Sequence, residues 1–161
     1  MRETSNAVNP VTTFVVATDI SATQFDVEVI SSLLIAGEGI YPAIDLNRSK
    51  STALSQSIIS DKHRKVAHTA SAAICNATES LYLGALADPK WAYNQDADKR
   101  TSVQALRFLS QGLFVAEPFT GKKASFVSTD NLISQFDAIL AGRHQATSPT
   151  AFFYTDELPA H

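Results

Sequence analysis

Small apolar side chains recur every three or four residues over the middle of the sequence. Between Ser60-Asp61 and Leu86 the recurring positions are Val66, Ala70, Ala73, Ile74, Ala77 and Leu81. Because a helix turns once in 3.6 residues, this spacing puts them on one face and predicts a long helix, which Ser60 caps and Asp88-Pro89 stops. Alanine dominates the face, so we expect a neighbouring element to pack closely against it. The sequence therefore predicts a mostly α fold.

Two further helices are predicted downstream. Val103, Leu106 and Leu109 form an apolar stripe that ends near Gly112, in a helix expected to lie antiparallel to the long one. A second stripe runs from about residue 129 to residue 141, and Gly142 is its expected stop. It consists of Leu132, Ile133, Phe136, Ile139 and Leu140. Residues 113–121, between the two, are apolar but interrupted by proline and glycine, which predicts a buried irregular loop.

The sequence before residue 45 is less regular. Residues 11–16 are rich in β-branched side chains, which predicts one buried strand. Residues 25–34 alternate at first and then carry apolar side chains at helical spacing, so that both strand and helix are compatible with them and helix is favoured. Gly37-Glu38-Gly39 is expected to end that element, because glycine accepts the left-handed backbone that stops a helix.

Composition narrows the classes of function. A length of 161 residues suits one domain, or one domain with part of a second. With 13 Lys and Arg against 16 Asp and Glu, the net charge of -3 lacks the electrostatic footprint of a general nucleic-acid or membrane-surface binder. A single cysteine, Cys75, excludes an internal disulfide, and four scattered histidines predict no metal site. Neither a membrane span nor a secretion signal is predicted.

One segment comes close to a phosphate-binding loop. Residues 116–123 contain glycine followed by lysine, but Lys123 stands where a serine or threonine would hold magnesium. Pro118 also removes a backbone donor, so a phosphate loop is rejected. His63 and His68 are five residues apart and would lie on different faces of a helix. No catalytic residue and no metal ligand is therefore predicted.

Two aromatic rings lie in stiff turns. Tyr41 precedes Pro42, and Phe119 follows Pro118 and is closely followed by Gly121. Rings held in this way can present a flat face to a planar ligand. Ordinary packing in the core is the alternative.

The segments around these two rings resemble a known family. Residues 39–45 (GIYPAID) and 107–121 (RFLSQGLFVAEPFTG) are similar to the C-terminal third of the catalytic beta subunit of the rotary, proton-translocating ATP synthase. Weaker matches connect them in the same order from about Pro10 onward. The resemblance implies a strand and helix remnant of the α/β nucleotide-binding domain over residues 1–47, and a helical C-terminal domain of the beta-subunit type over residues 48–161.

The resemblance also implies a site and a setting. Tyr41 resembles the tyrosine that stacks on the adenine ring, and Ala116 and Phe119 resemble other walls of that adenine pocket. Leu113 stands where the family usually has phenylalanine. The implied partners are the alpha and beta subunits of the ring, the central stalk and, weakly, an adenine nucleotide. The implied location is peripheral, on the matrix side of the mitochondrial inner membrane or the cytoplasmic face of a bacterial membrane.

The departures from the family concern its chemistry. The phosphate loop, the catalytic glutamate and the magnesium-binding acidic strand precede this region in the family, and the sequence contains no such segments. Since phosphoryl transfer needs positioned cations around the phosphates, we expect no catalysis by this chain alone, and ATP or ADP with Mg²⁺ only where a partner chain completes the site. Residues 88–96 replace the acidic stretch that faces the stalk and lose most of its charge.

Three interpretations remain open. The first is a truncated or divergent paralogue that keeps an adenine-pocket remnant and docks with other subunits. The second is one part of a split or incomplete beta subunit, which works in ATP synthesis or hydrolysis coupled to proton transport. The third is a free-standing helical module for protein interaction, in which the former pocket is only core.

Overall fold

A computed structural model describes residues 25–54, 58–82 and 96–159, together with positions 13, 15 and 16. The fold of these residues is mostly helical, as predicted, with one small antiparallel sheet. Within the described residues, no helix is both long enough and apolar enough to cross a membrane.

The two strands and the first helix form the N-terminal part. Strands β1 (Val27–Glu28) and β2 (Lys50–Ser51) pair antiparallel, with Val27 opposite Ser51 and Glu28 opposite Lys50. Helix α1 covers Leu33–Gly37 and buries Ile35. The left-handed Gly39, at φ 74°, follows it, so the predicted stop is confirmed.

The helix favoured over residues 25–34 is wrong for most of that range. Val27 and Val29 alternate with Glu28, whose carboxylate pairs with the Lys50 ammonium at 2.8 Å across the sheet. β-branched residues in alternation suit a pleated strand better than a helix. Half of the strand predicted over residues 11–16 lies outside the described residues, and the described positions 13, 15 and 16 are exposed and belong to no strand.

Helix α2 (Asp61–Tyr82) is the predicted long helix. The hydroxyl of Ser60 accepts a hydrogen bond from the His63 N–H at 3.2 Å and caps the first turn, as expected. Its buried face carries four residues of the predicted stripe, namely Val66, Ala70, Ile74 and Ala77. The helix packs mainly against α3 and α5 along this face. The stop predicted at Asp88-Pro89 lies outside the described residues.

Helices α3 (Ala97–Phe108) and α5 (Thr129–Leu140) confirm the other two predicted helices. The Asp96 carboxylate accepts from the Lys99 N–H at 3.0 Å, and the Ser128 hydroxyl accepts from the Asn131 N–H at 3.3 Å, so each helix has a side-chain cap. Gly142, at φ 71°, ends α5 as predicted. Between α3 and α5 lie a 3₁₀ helix, Phe114–Ala116, and the short helix α4, Glu117–Thr120.

One apolar core joins these elements. Phe108 and Phe136 meet edge to face with ring centres 5.3 Å apart, and Phe152 of a last 3₁₀ helix, Pro149–Phe152, is fully buried beside the same cluster. Ile35 and Ile40 belong to it too. The predicted division of the chain at residue 47 stays a prediction.

Candidate functional site

The structure brings together the two segments that carry the resemblance. The backbone N–H of Gln111 donates to the carbonyl of Tyr41 at 2.7 Å. The Tyr154 hydroxyl donates to the carbonyl of Gly39, which ties the C-terminal segment to the same turn. Residues far apart in sequence therefore meet at one place on the surface.

Tyr41 stands at the turn that follows helix α1. Its side chain is 46% exposed. The ring lies close enough to Tyr154 to act on it electrostatically. Burial raises the pKa of the Tyr154 hydroxyl above its ordinary value, and the charge of Tyr41 raises it further. The Tyr154 hydroxyl therefore keeps its proton at neutral pH and presents a polar edge beside the aromatic faces.

The second segment is held in a defined shape from residue 111 to residue 124. A side chain at Gly112 would place its Cβ 2.2 Å from the carbonyl oxygen of Lys123, so only glycine permits this approach. Gly121, at φ 64°, closes α4 in the left-handed region, and its N–H donates to the Glu117 carbonyl at 3.0 Å. The Glu117 carboxylate accepts from the Ala124 N–H, which joins the two sides of the segment.

The prediction of a buried irregular loop over residues 113–121 is wrong. The residues form two short helical turns that satisfy much of their own backbone, and the apolar side chains point outward. Phe114 is 69% exposed, Val115 82% and Phe119 88%. The aromatic residues of the core are instead Phe108, Phe136 and Phe152. Residues 113–121 are thus apolar in composition, but their large apolar side chains lie on the surface.

All four residues predicted for the adenine pocket lie on the two joined segments. Tyr41 belongs to the first, and Leu113, Ala116 and Phe119 belong to the second. Tyr41, Leu113 and Phe119 are exposed, whereas Ala116 is partly buried. Their assignment to an adenine pocket stays a prediction.

Sequence reasoning missed a ladder of cations and rings beside these residues. The Lys122 ammonium lies 3.4 Å from the centre of the Tyr154 ring, and the Arg107 guanidinium lies 5.1 Å from that of Phe153. The two rings stack with centres 6.1 Å apart. The aromatic run 152–154 is visible in the sequence, but its contact with residues so distant along the chain is not.

Lys122 belongs to the segment that was rejected as a phosphate loop. Its ammonium lies over the ring of Tyr154. Burial lowers the pKa of Arg107, although the Glu38 carboxylate acts in the opposite direction. In the part of the chain that the structure describes, no three His, Cys, Asp or Glu side chains gather as a metal site requires. The exposed rings and the nearby Lys122 and Arg107 thus form a surface of flat apolar faces with two cations, which is suited to binding a planar ligand.

No protein-family model matches this chain.

Proposed function

We propose that this chain is a divergent relative of the catalytic beta subunit of rotary ATP synthase. It corresponds to the C-terminal region of that subunit and serves as an adenine-binding and subunit-interaction module. It carries out no hydrolysis by itself, because it lacks the phosphate loop and the magnesium-binding residues. The mostly helical fold is compatible with this proposal, and the site carries the argument.

The hydrogen bond from Gln111 to Tyr41 is the observation that supports the proposal best. A single planar base can contact Tyr41, Leu113, Ala116 and Phe119 only if their two segments are neighbours. The bond joins Tyr41 to a residue two positions before Leu113, so this condition is met. The rings of Tyr41 and Phe119 are free on the surface to receive a ligand.

The expected affinity is low. An aromatic contact contributes about 0.5–1.5 kcal/mol beyond the area it buries, so two rings supply about 1–3 of the roughly 4 kcal/mol that a millimolar complex needs. The ammonium of Lys122 is engaged over Tyr154 and lends little to the phosphates. We therefore expect adenosine and ADP to bind with similar, weak affinity.

Calorimetry on the full chain tests the adenine site. Tyr41→Ala and Phe119→Ala are each expected to lower the affinity for ADP severalfold, whereas Lys122→Ala changes it little. Phe126→Ala is the matched control, because Phe126 is 84% exposed but is not one of the four predicted positions. Absence of ADP binding, or binding that depends on Lys122, would reject the adenine site.

The exposed apolar side chains support the interaction role. Leu113, Phe114, Val115 and Phe119 follow one another along the surface segment. A patch of this kind on a soluble domain is typical of a surface that another protein covers. The proposed partners are subunits of an ATP synthase-type assembly.

Affinity capture from the native source, followed by mass spectrometry, tests these partners. Recovery of ring or stalk subunits by the wild-type chain, and their loss with Phe114→Ser/Val115→Ser, is the expected result. Capture without any such subunit would contradict the subunit role and favour a free-standing module. Magnesium-dependent ATPase activity of the pure chain would contradict the non-catalytic assignment, and activity that appears only with a captured partner would favour a split subunit.

A further inference from the structure

A second site is a cleft between the β1–β2 pair and helices α2 and α5. Its volume is about 370 Å³, and its walls are almost wholly apolar, with Val27 and Ile44 on one side and Ile133 and Phe136 on another. None of the four residues proposed for the adenine site lines it. The cleft is therefore separate from the site described above.

Helix α2 gives the cleft its length and its width. The lining positions on this helix run from His63 to Ile74 at alternating spacings of three residues and one residue. At a rise of 1.5 Å per residue, this stripe extends for about 16 Å. Its middle consists of Ala67, Ala70 and Ser71, whose short side chains leave the space open. The cleft is an elongated trough.

Such a trough holds apolar side chains in contact with water, since Val27 and Val29 on its wall are exposed. Apolar surface in water is unfavourable by roughly 25 cal/mol per Å², and a ligand that covers it removes this cost. Water in an apolar space gains few hydrogen bonds and does not remove this cost. The volume lies within the range of sites for small molecules, which are likewise mostly apolar with a few polar groups.

The cleft has one pair of opposite charges, and its other polar lining residues are His63, Ser49, Ser51 and Ser71. Glu28 and Lys50 both line it, and their side chains pair at 2.8 Å. An ionic head group would have to compete with this pair. We infer that the cleft binds an elongated, uncharged, apolar small molecule of the medium-chain alkyl type.

Methyl NMR of the full chain, titrated with 1-octanol, tests the inference. The methyl signals of Val66 and Ile133 are expected to shift and to saturate. Ala67→Leu fills the trough and is expected to weaken octanol binding at least tenfold. Ala72→Leu is the matched control, since it makes the same change on an exposed position of the same helix that does not line the cleft.

Two further readouts keep the result decisive. Filling an open space is expected to raise the midpoint of thermal unfolding in Ala67→Leu, and in Ser71→Val should the first variant fold poorly. A midpoint lowered in both variants, with Ala72→Leu unchanged, would show that the space is already occupied and overturn the inference. So would cleft methyl signals that do not respond to octanol, or tighter binding of octanoate than of octanol. ADP binding is independent of all these outcomes.

Discussion

The packed helices and the surface segment after α3 use the same apolar residues in opposite ways. Phe108, at the end of α3, is fully buried, whereas Phe119, in α4, is 88% exposed. Phe108 packs edge to face on Phe136, while Phe119 stands in a short helical turn that holds its own backbone. The surface segment 113–121 is more apolar than the buried helix, with five apolar residues in nine against five in twelve for α3. In the described residues, therefore, a helical periodicity of apolar side chains over several turns, and not apolar content alone, indicates which residues are buried.

The largest effect on stability is expected from truncating the buried Phe108, and almost none from truncating the exposed Phe119. Phe108→Ala should lower the free energy of unfolding by about 3–5 kcal/mol, because it leaves a cavity at the centre of the core. Phe119→Ala should change it by less than about 0.5 kcal/mol, because the ring contacts little. Urea denaturation measures both. Comparable losses in the two variants would mean that the surface segment is part of the core.

A smaller effect is expected at two left-handed glycines, one in each region. Gly142→Ala strains the end of α5 and should cost about 1–2 kcal/mol of unfolding free energy. Gly121→Ala imposes the same strain on the surface segment, which can open locally, so the loss in global stability should be smaller.

Gly37→Ala is the control for this pair, because Gly37 lacks a positive φ and a Cβ there meets nothing within 4 Å. Thermal unfolding of the three variants gives the order directly. An equal loss at Gly121 and Gly142 would show that the two regions unfold as one unit.

The smallest expected effect is on the reactivity of Cys75, whose side chain is partly buried. Burial raises the pKa of its thiol, and the hydrogen bond with Ser71 only partly opposes this. The thiolate is the reactive form, so labelling by a disulfide reagent at pH 8 should be slower than for free cysteine, and it should accelerate as the pH rises. Labelling as fast as that of glutathione would place Cys75 on the open surface.

These contrasts also show what the sequence could predict. The spacing of Val66, Ala70 and Ile74 predicted the start of α2, and that of Leu132, Phe136 and Ile139 predicted both ends of α5, within a few residues, since each helix buries one continuous face. The mostly α fold followed from such patterns. The strand at Val27–Glu28 was missed because a two-residue strand is defined by its partner, Lys50–Ser51, and not by its own pattern.

The site was predictable only in part. The two turns around Tyr41 and Phe119 could be recognised from their prolines and glycines. Their contact through Gln111 could not, and neither could the bond from Tyr154 to Gly39, because both depend on how the helices pack. The exposure of the second segment could not be predicted either, because tertiary packing decides which aromatic side chains enter the core, here Phe108, Phe136 and Phe152.

If the two joined segments form one adenine-binding face, as we propose, intermolecular NOEs from the base will reach both of them. In the full chain with excess ADP, the adenine H2 and H8 protons are expected to give NOEs to the ring protons of both Tyr41 and Phe119. The signals should vanish in Tyr41→Ala and persist in Phe126→Ala. Adenine NOEs to neither ring, or NOEs to Phe126 alone, would contradict the account.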